Sequence, residues 1–152
     1  MAQSSRTYFK AYDWSPDDKQ IVYCDFSSQT ASTLWLIDVA SGNKVLLSPK
    51  SSRPEYYDFP QFGKDGRGIY VVTDHDSDFR RLANIDLASR KISYIPYTGK
   101  WDVEEFQVSP DGKAIAFITN EDGTSVLHLL EVGTWKKLPL PQLPLGVISD
   151  LK

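Results

Sequence analysis

The sequence predicts an all-β fold: a partial β-propeller of about three blades, each a sheet of four antiparallel strands. A threefold repeat is the first observation, because the turn aspartates Asp17, Asp65 and Asp111 lie 48 and 46 residues apart. Second, an apolar run ending in an acidic residue begins 17, 17 and 16 residues after these aspartates. Third, uninterrupted apolar segments, typical of strands covered on both faces, follow each turn. Repeats of about 40 to 50 residues are typical of propeller blades.

Each repeat contains four strand segments in a fixed order. A turn of the Ser-Pro-Asp-Gly type joins the first two, because Pro sets φ at its second position and Gly closes a type I turn. First strands are expected at 8–13, 58–62 and 103–108, second strands at 21–24, 69–72 and 115–118, third strands at 34–39, 82–87 and 127–132, and weak fourth strands at 44–47 and 91–95. The blades then span about 6–50, 54–97 and 101–140, and 141–152 begins a further blade.

Equivalent positions of the repeats are expected to be buried together. The predicted sets are Ile21, Ile69 and Ile115; Tyr23, Val71 and Phe117; and Leu34, Leu82 and Leu127. Cys24, the only cysteine, lies in an apolar run and is expected to act as a small buried hydrophobe. An antiparallel sandwich is the alternative fold, but it requires no such period.

Composition and charge exclude several classes of partner. The 152 residues carry 17 Lys and Arg against 20 Asp and Glu, so the net charge of −3 offers no basic excess for nucleic acid. No apolar run approaches the roughly 18 to 20 residues that span a membrane, and the start lacks an apolar leader segment. One domain with a cytoplasmic location is therefore expected.

The repeat residues also resemble a known family. The stretches that carry the resemblance are Ser15-Pro16-Asp17-Asp18-Lys19, Leu34-Trp35-Leu36-Ile37-Asp38, 101–112 and 140–149. They resemble the WD40-like repeats of TolB-type propellers and of the N-terminal propeller in prolyl oligopeptidase-family serine peptidases, including dipeptidyl aminopeptidases and acylaminoacyl peptidases. The resemblance covers essentially the whole chain. Departures from the pattern are Asp18, Gly63, Lys64, Arg90, Glu131 and Trp135.

This resemblance implies a non-catalytic propeller fragment similar to the substrate-gating domain of such a peptidase, with the α/β-hydrolase domain absent. A stand-alone TolB-like module for protein–protein interaction is the alternative. Either reading implies a peptide or protein partner. The nucleophile motif Gly-x-Ser-x-Gly does not occur in the sequence, so no residue is assigned a catalytic role.

No cofactor or metal is expected. The phosphate-binding loop and a complete dinucleotide fingerprint are missing from the sequence. His75, between Asp74 and Asp76, is interpreted as part of a solvated turn, because a calcium loop needs a further bidentate carboxylate and a glycine turn. His128 is interpreted as a packed strand residue, since zinc needs about four converging ligands.

Residues at the start of two inner strands are the candidates for a channel mouth or top face. They are Trp101, Asp102, Glu104 and Glu105 in the third repeat and Tyr57 and Asp58, next to Tyr56, in the second. Their carboxylates are of the kind that could hold a peptide ammonium. Successive side chains on a strand point to opposite faces, so only one of Glu104 and Glu105 can face a common ligand. A solvated entry loop is the alternative interpretation.

Three repeats leave two blade faces uncovered, since propellers typically close with about four to eight blades. Apolar faces of this kind favour association. We expect self-association, of which a cyclic dimer with six blades is one form. Residues 147–151 resemble the inner strand of a fourth blade. In a six-bladed ring, residues 8–13 of the other chain would occupy that same position.

Overall fold

The computed structural model describes residues 8–140, 143 and 146–151. Within them, eleven strands form three antiparallel sheets, one for each repeat. The first sheet contains β1 (Tyr8–Trp14), β2 (Gln20–Ser28), β3 (Ala31–Asp38) and β4 (Lys44–Leu46); the second contains β5 (Tyr57–Phe62), β6 (Gly68–Thr73), β7 (Arg81–Asp86) and β8 (Ile92–Tyr94); the third contains β9 (Val103–Val108), β10 (Ala114–Glu121) and β11 (Thr124–Glu131). This architecture confirms the predicted propeller blades. The described part of the chain contains no helix that could cross a membrane.

The third sheet lacks a regular fourth strand in its described residues. An isolated bridge joins Leu130 to Lys137, and the Leu138 N–H donates to the Leu129 carbonyl (2.9 Å). The fourth strand of the third blade is therefore reduced to this short bridged segment, next to three regular strands.

Local hydrogen bonds explain the turn between the first two strands of a blade. In the third repeat, the Ser109 hydroxyl donates to Asp111 Oδ1 (2.7 Å) and accepts from the Ala114 N–H (2.9 Å). The fourth turn residue takes a positive φ in all three copies: 59° at Asp18, 67° at Gly66 and 72° at Gly112. Asp18 therefore adopts the backbone conformation that glycine adopts in the other copies, which keeps the turn type.

The outer turn, between the third and fourth strands, repeats a second pattern. Asp38 Oδ1 accepts hydrogen bonds from the Ser41 N–H and hydroxyl (2.8 and 2.6 Å), and Asp86 accepts the same pair from Ser89 (2.7 Å each). These bonds hold the pKa of both aspartates below the ordinary value. The acidic residue of the repeat thus closes a turn.

The second sheet is packed between the other two. Val22 and Cys24 of β2 belong to one buried cluster with Ile69 and Val71 of β6. The alternate β6 residues Tyr70 and Val72 belong to a second cluster with Ile115 and Phe117 of β10. All six β6 residues are buried, as the unbroken apolar run predicted. Burial of Cys24 confirms its assignment as a small hydrophobe.

Two of the nine predicted core positions are not fully buried. Ile21 and Leu127 are half-buried, although they hold the expected register opposite Trp14 and Ile118. Each lies on a face against which no described sheet packs. We call these faces the first flank and the last flank. The first flank comprises Phe9, Trp14, Ile21, Tyr23 and Trp35, and the last flank comprises Gln107, Ala116, Leu127 and Leu129.

Residues 146–151 run beside the third sheet. The Ser125 N–H donates to the Gly146 carbonyl (3.0 Å), and the Ile148 N–H donates to the Ser125 hydroxyl (3.0 Å). Glu105 accepts from the N–H groups of Asp150 (3.1 Å) and Leu151 (2.9 Å). Residues 141, 142, 144, 145 and 152 lie outside the described part, and the start of a further blade at 141–152 stays a prediction.

Candidate functional site

The inner strands β1, β5 and β9 lie side by side and form a groove along their common edge. Its volume is about 280 Å³. The lining residues are Tyr12, Asp13, Phe59, Pro60, Gln61, Phe62, Lys64, Gln107 and Val108. All three repeats contribute residues to this groove.

Side chains of one repeat bind the backbone of the next along this groove. The Phe62 N–H donates to Asp13 Oδ2 (2.8 Å). One repeat later, the Val108 N–H donates to Gln61 Oε1 (3.1 Å), and Gln61 Nε2 donates to the Phe106 carbonyl (3.2 Å). Asp13, Gln61 and Gln107 occupy equivalent positions, spaced by 48 and 46 residues. We call these three the bridging residues, because the first two hydrogen-bond successive sheets together.

Asp58 is the centre of a buried polar cluster. Its Oδ1 accepts from the Tyr12 hydroxyl and the Phe59 N–H (2.8 Å), and its Oδ2 accepts from the Tyr56 hydroxyl (2.6 Å). Burial, followed by the hydrogen bond to Asp58, raises the pKa of both tyrosines well above the ordinary value. Both tyrosines therefore stay protonated as donors. The carboxylate is buried rather than solvated and already has three partners, which leaves it little capacity for a ligand ammonium.

Tyr57 points into a different cluster. Its hydroxyl donates to Glu55 Oε2 (2.8 Å), and His75 Nδ1 lies 3.1 Å from the same oxygen. Burial raises the pKa of Glu55, but the hydrogen bonds from Tyr57 and His75 outweigh it, and the net pKa lies below the ordinary value. His75 lies in a turn, as predicted, but its side chain is only partly exposed because the imidazole pairs with the buried Glu55 carboxylate.

The candidates of the third repeat have separate partners. Asp102 Oδ1 accepts from the Arg80 N–H (2.9 Å), which ties the β6–β7 loop to the start of β9. Glu104 is exposed and accepts from Asn120 Nδ2 (3.2 Å), whereas Glu105 binds the backbone of 150–151. Trp101 is half-buried. The six predicted residues therefore do not converge on one point, and their role at a channel mouth stays a prediction.

His128 packs inside its sheet, as predicted. Its ring stacks on Phe117 with centroids 4.6 Å apart, and its Nε2 lies 2.9 Å from Thr119 Oγ1. Burial lowers the pKa of the imidazole, and the nearby Glu121 carboxylate opposes that effect. Among the residues that the structure describes, no three His, Cys, Asp or Glu side chains are arranged to hold a metal.

Sequence reasoning missed the bridging residues and Tyr12. Asp13, Gln61 and Gln107 each precede the bulky residue that begins the repeat signature. A polar residue at the same position of every copy was therefore a detectable signal. Tyr12 has no such mark, because its partner Asp58 lies 46 residues away in another repeat.

The chain is similar to proteins of a known family. The family model described as the dipeptidyl peptidase IV N-terminal region matches residues 2–140. Dipeptidyl-peptidase 5 of Porphyromonas gingivalis is 27% identical over 136 residues, which are 82% of this chain and 20% of that protein. The chain thus spans about a fifth of the length of this relative.

Two solved structures show the same fold. TolB from Acinetobacter baumannii matches with a TM-score of 0.68 at 22% identity, over 88% of this chain and 32% of that one. Apo prolyl oligopeptidase B from Galerina marginata matches with a TM-score of 0.74 at 14% identity, over 97% of this chain and 22% of that one. At these identities the matches establish the architecture alone.

Proposed function

Since the chain belongs to the dipeptidyl peptidase IV N-terminal region family, we propose that it is the non-catalytic propeller part of a serine peptidase. The proposed role is to admit and hold peptide substrates, while a separate α/β-hydrolase domain cleaves them. The family match over residues 2–140 carries this proposal. It agrees with the missing Gly-x-Ser-x-Gly motif, without which this chain has no nucleophile of the hydrolase type.

The inner-strand groove is the part of the chain that we propose to contact peptide. Tyr12 and Phe59 supply aromatic rings at one end, and the Gln107 amide can both donate to and accept from a peptide backbone. Lys64 is exposed at the edge of the groove, and Lys10 Nζ lies 4.4 Å from the centre of the Tyr12 ring. These cations favour a peptide carboxylate. Asp58 is already bound, so we do not propose an ammonium site there.

A binding experiment tests the groove. A short extended peptide with a fluorescent label is titrated with the protein, once with a free carboxylate and once as the terminal amide, and anisotropy is recorded. The carboxylate form is expected to bind several-fold more tightly. Lys64→Met should remove that preference, whereas Lys113→Met, in the equivalent turn of the third repeat, should keep it. Equal losses in both variants, or no saturable binding, would overturn this site.

The non-catalytic role has its own measurement. The purified chain is incubated with a fluorophosphonate probe that labels activated serines, beside an active serine hydrolase as the positive control. We expect no covalent labelling of the chain. A labelled serine, located by mass spectrometry, would contradict the proposal.

A second candidate function is a TolB-like module that binds protein. One observation favours it: the first flank exposes aromatic side chains, with Phe9 56% and Trp14 51% accessible. Contiguous apolar surface of this kind is typical of protein interaction sites. This candidate needs no hydrolase domain. Light scattering of the full chain over the micromolar range tests whether the first flank associates, and a stable monomer throughout that range would count against it.

A further inference from the structure

We propose that one end of the inner-strand groove, formed by Lys10, Tyr12 and Phe59, binds an acidic side chain of the peptide. The carboxylate of that side chain pairs with the Lys10 ammonium, and its aliphatic stem packs on the two rings. We call these three residues the lysine–aromatic subsite. This inference rests on the proposed function of the groove and adds the substrate class, a peptide that contains glutamate or aspartate.

Phe59 lies in a β-bulge and has a strained backbone conformation. The register of β5 against β6 shifts between Asp58 and Gln61, so two residues, Phe59 and Pro60, lie opposite Val71 alone. The φ of Phe59 is 53°, which is rare for a bulky residue and costs free energy. Bulges often redirect a side chain, and the Phe59 ring lines the groove. Strain of this kind is typical of ligand-binding sites.

One buried carboxylate positions both aromatic rings. Asp58 Oδ1 accepts hydrogen bonds from the Phe59 N–H (2.8 Å) and from the Tyr12 hydroxyl. The two rings meet edge to face, with their centroids 6.2 Å apart. Because Asp58 is buried, a ligand in the groove meets the rings rather than the carboxylate. Rings that are fixed before binding lower the entropic cost of holding a ligand.

Lys10 places a positive charge over these rings. Its Nζ lies 4.4 Å from the centre of the Tyr12 ring and 5.5 Å from that of Phe59. The rings attract the ammonium through their quadrupoles, which orients the charge without neutralising it. Lys10 is exposed, and among the described residues no Asp or Glu forms an ion pair with it. The subsite therefore favours an acidic side chain over a basic one, which would have to displace Lys10.

The position of the subsite does not depend on what covers the two flanks. Lys10 pairs with Cys24 in the β1–β2 ladder, and paired residues of antiparallel strands point to the same face of the sheet. Cys24 belongs to the buried cluster that joins the first and second sheets. Lys10 therefore lies on the side of β1 that faces the second sheet. Further repeats at either end of the row would leave this place as it is.

The distance to Lys64 defines where the acidic residue lies in the peptide. Lys64 also lines the groove and follows Phe59 by five residues. At about 3.3 Å per extended residue, their Cα atoms lie at most roughly 17 Å apart. An extended peptide whose terminal carboxylate pairs with Lys64 therefore brings a residue a few positions earlier to Lys10.

Fluorescence anisotropy with the full chain tests the subsite. Labelled extended peptides with a free C-terminus carry one glutamate at the third, fourth or fifth residue from that end, and matched peptides carry glutamine there. The wild-type protein is expected to bind the best glutamate peptide several-fold more tightly than its glutamine match. Lys10→Met should remove this preference but keep the preference for a free terminal carboxylate, which depends on Lys64. Lys10→Arg should keep both preferences.

Two further substitutions separate charge, ring and strain. Lys44→Met is the matched control, because Lys44 is also exposed and its Nζ lies 5.7 Å from the centre of the Tyr23 ring, outside the groove. This variant should keep the glutamate preference. Glycine adopts a positive φ readily, so Phe59→Gly should resist urea at least as well as Phe59→Ala. Both Phe59 variants should nevertheless bind the glutamate peptide several-fold more weakly than the wild type.

The results distinguish this subsite from the groove as a whole. Equal binding of every glutamate and glutamine pair would overturn the subsite alone. The same holds if Lys10→Met and Lys44→Met have equal effects, if a lysine in place of the glutamate binds more tightly, or if folded Phe59→Gly keeps full affinity. If no peptide binds saturably, the proposed groove is wrong, and the subsite with it.

Discussion

Two glycines at positive φ allow the energetic cost of a strained backbone to be distinguished from the cost of a clash between neighbouring repeats. Gly112 has a φ of 72°, and a Cβ built there would lie 2.6 Å from Lys64 Cγ. Gly123 has a φ of 84° and open space around it. Turns of neighbouring repeats therefore touch at Gly112, and the β10–β11 turn at Gly123 is free.

Gly112→Ala is expected to destabilise the protein more than Gly123→Ala. Both substitutions place a Cβ in the left-handed region, at roughly 1 to 2 kcal/mol. Only the first also forces Lys64 to move. Urea unfolding of both variants measures the difference, and equal losses would show that the turns of the second and third repeats are not in contact.

His128 is expected to make stability depend on pH. Burial lowers the folded-state pKa of its imidazole below the ordinary value of 6.5, so the unfolded chain binds the proton more readily. Stability should therefore fall as the pH decreases from about 7 to about 5. Urea midpoints across this range should show a smaller decrease for His128→Gln than for the wild type. Parallel curves for the two proteins would exclude this contribution.

At the scale of elements, the equivalent isoleucines of the second strands differ in how deeply their side chains are buried. Ile115 is fully buried between the second and third sheets, whereas Ile21 lies half-buried on the first flank. Ile115→Ala is expected to reduce the free energy of unfolding by about 2 to 5 kcal/mol. Ile21→Ala, the same change at the equivalent position, should cost clearly less. Losses below about 0.5 kcal/mol at Ile115 would contradict the register.

The strand ends next to the first turn of each repeat were predictable because their causes are local, whereas β2 and β10 continue to Ser28 and Glu121, beyond the predicted ends at 24 and 118. The Ser109 and Asp111 hydrogen bonds lie within one turn, and the apolar run after it needs only its own six residues to predict burial on both faces. Burial of Ile21 was not predictable in the same way. It depends on whether another sheet covers that face, which no residue near Ile21 determines.

The candidate site was harder to predict than the fold. Glu55 and His75 pair across 20 residues, and Tyr12 and Asp58 across 46. Such pairs arise from the path of the chain and leave no spacing pattern in the sequence. The alternation expected of Glu104 and Glu105 is interrupted, because Glu105 pairs with Ile118 and Val103 with Thr119, which leaves Glu104 as an extra residue in β9.

At the scale of the whole molecule, the three sheets form a row in which each described sheet contacts only its neighbours. The middle sheet is covered on both sides, so its amides should exchange with solvent most slowly. Hydrogen exchange by mass spectrometry should show greater protection in β6 than in the equivalent strands β2 and β10. Uniform protection in all three strands would indicate that the described sheets unfold as one unit.

The bond between successive sheets takes its acceptor from a side chain of one repeat and its donor from the backbone of the next. Every residue except proline has a backbone N–H, so the repeat that donates this hydrogen bond needs no particular side chain at that position. Phenylalanine and valine follow the bridging position in the two interfaces, and the bond is the same. Duplication of the gene segment for one repeat would therefore also duplicate the residue that accepts this hydrogen bond. The neighbouring repeat would need no further mutation to supply the donor. Ancestral chains could lengthen by whole repeats in this way, while the residues at each junction diverged in size.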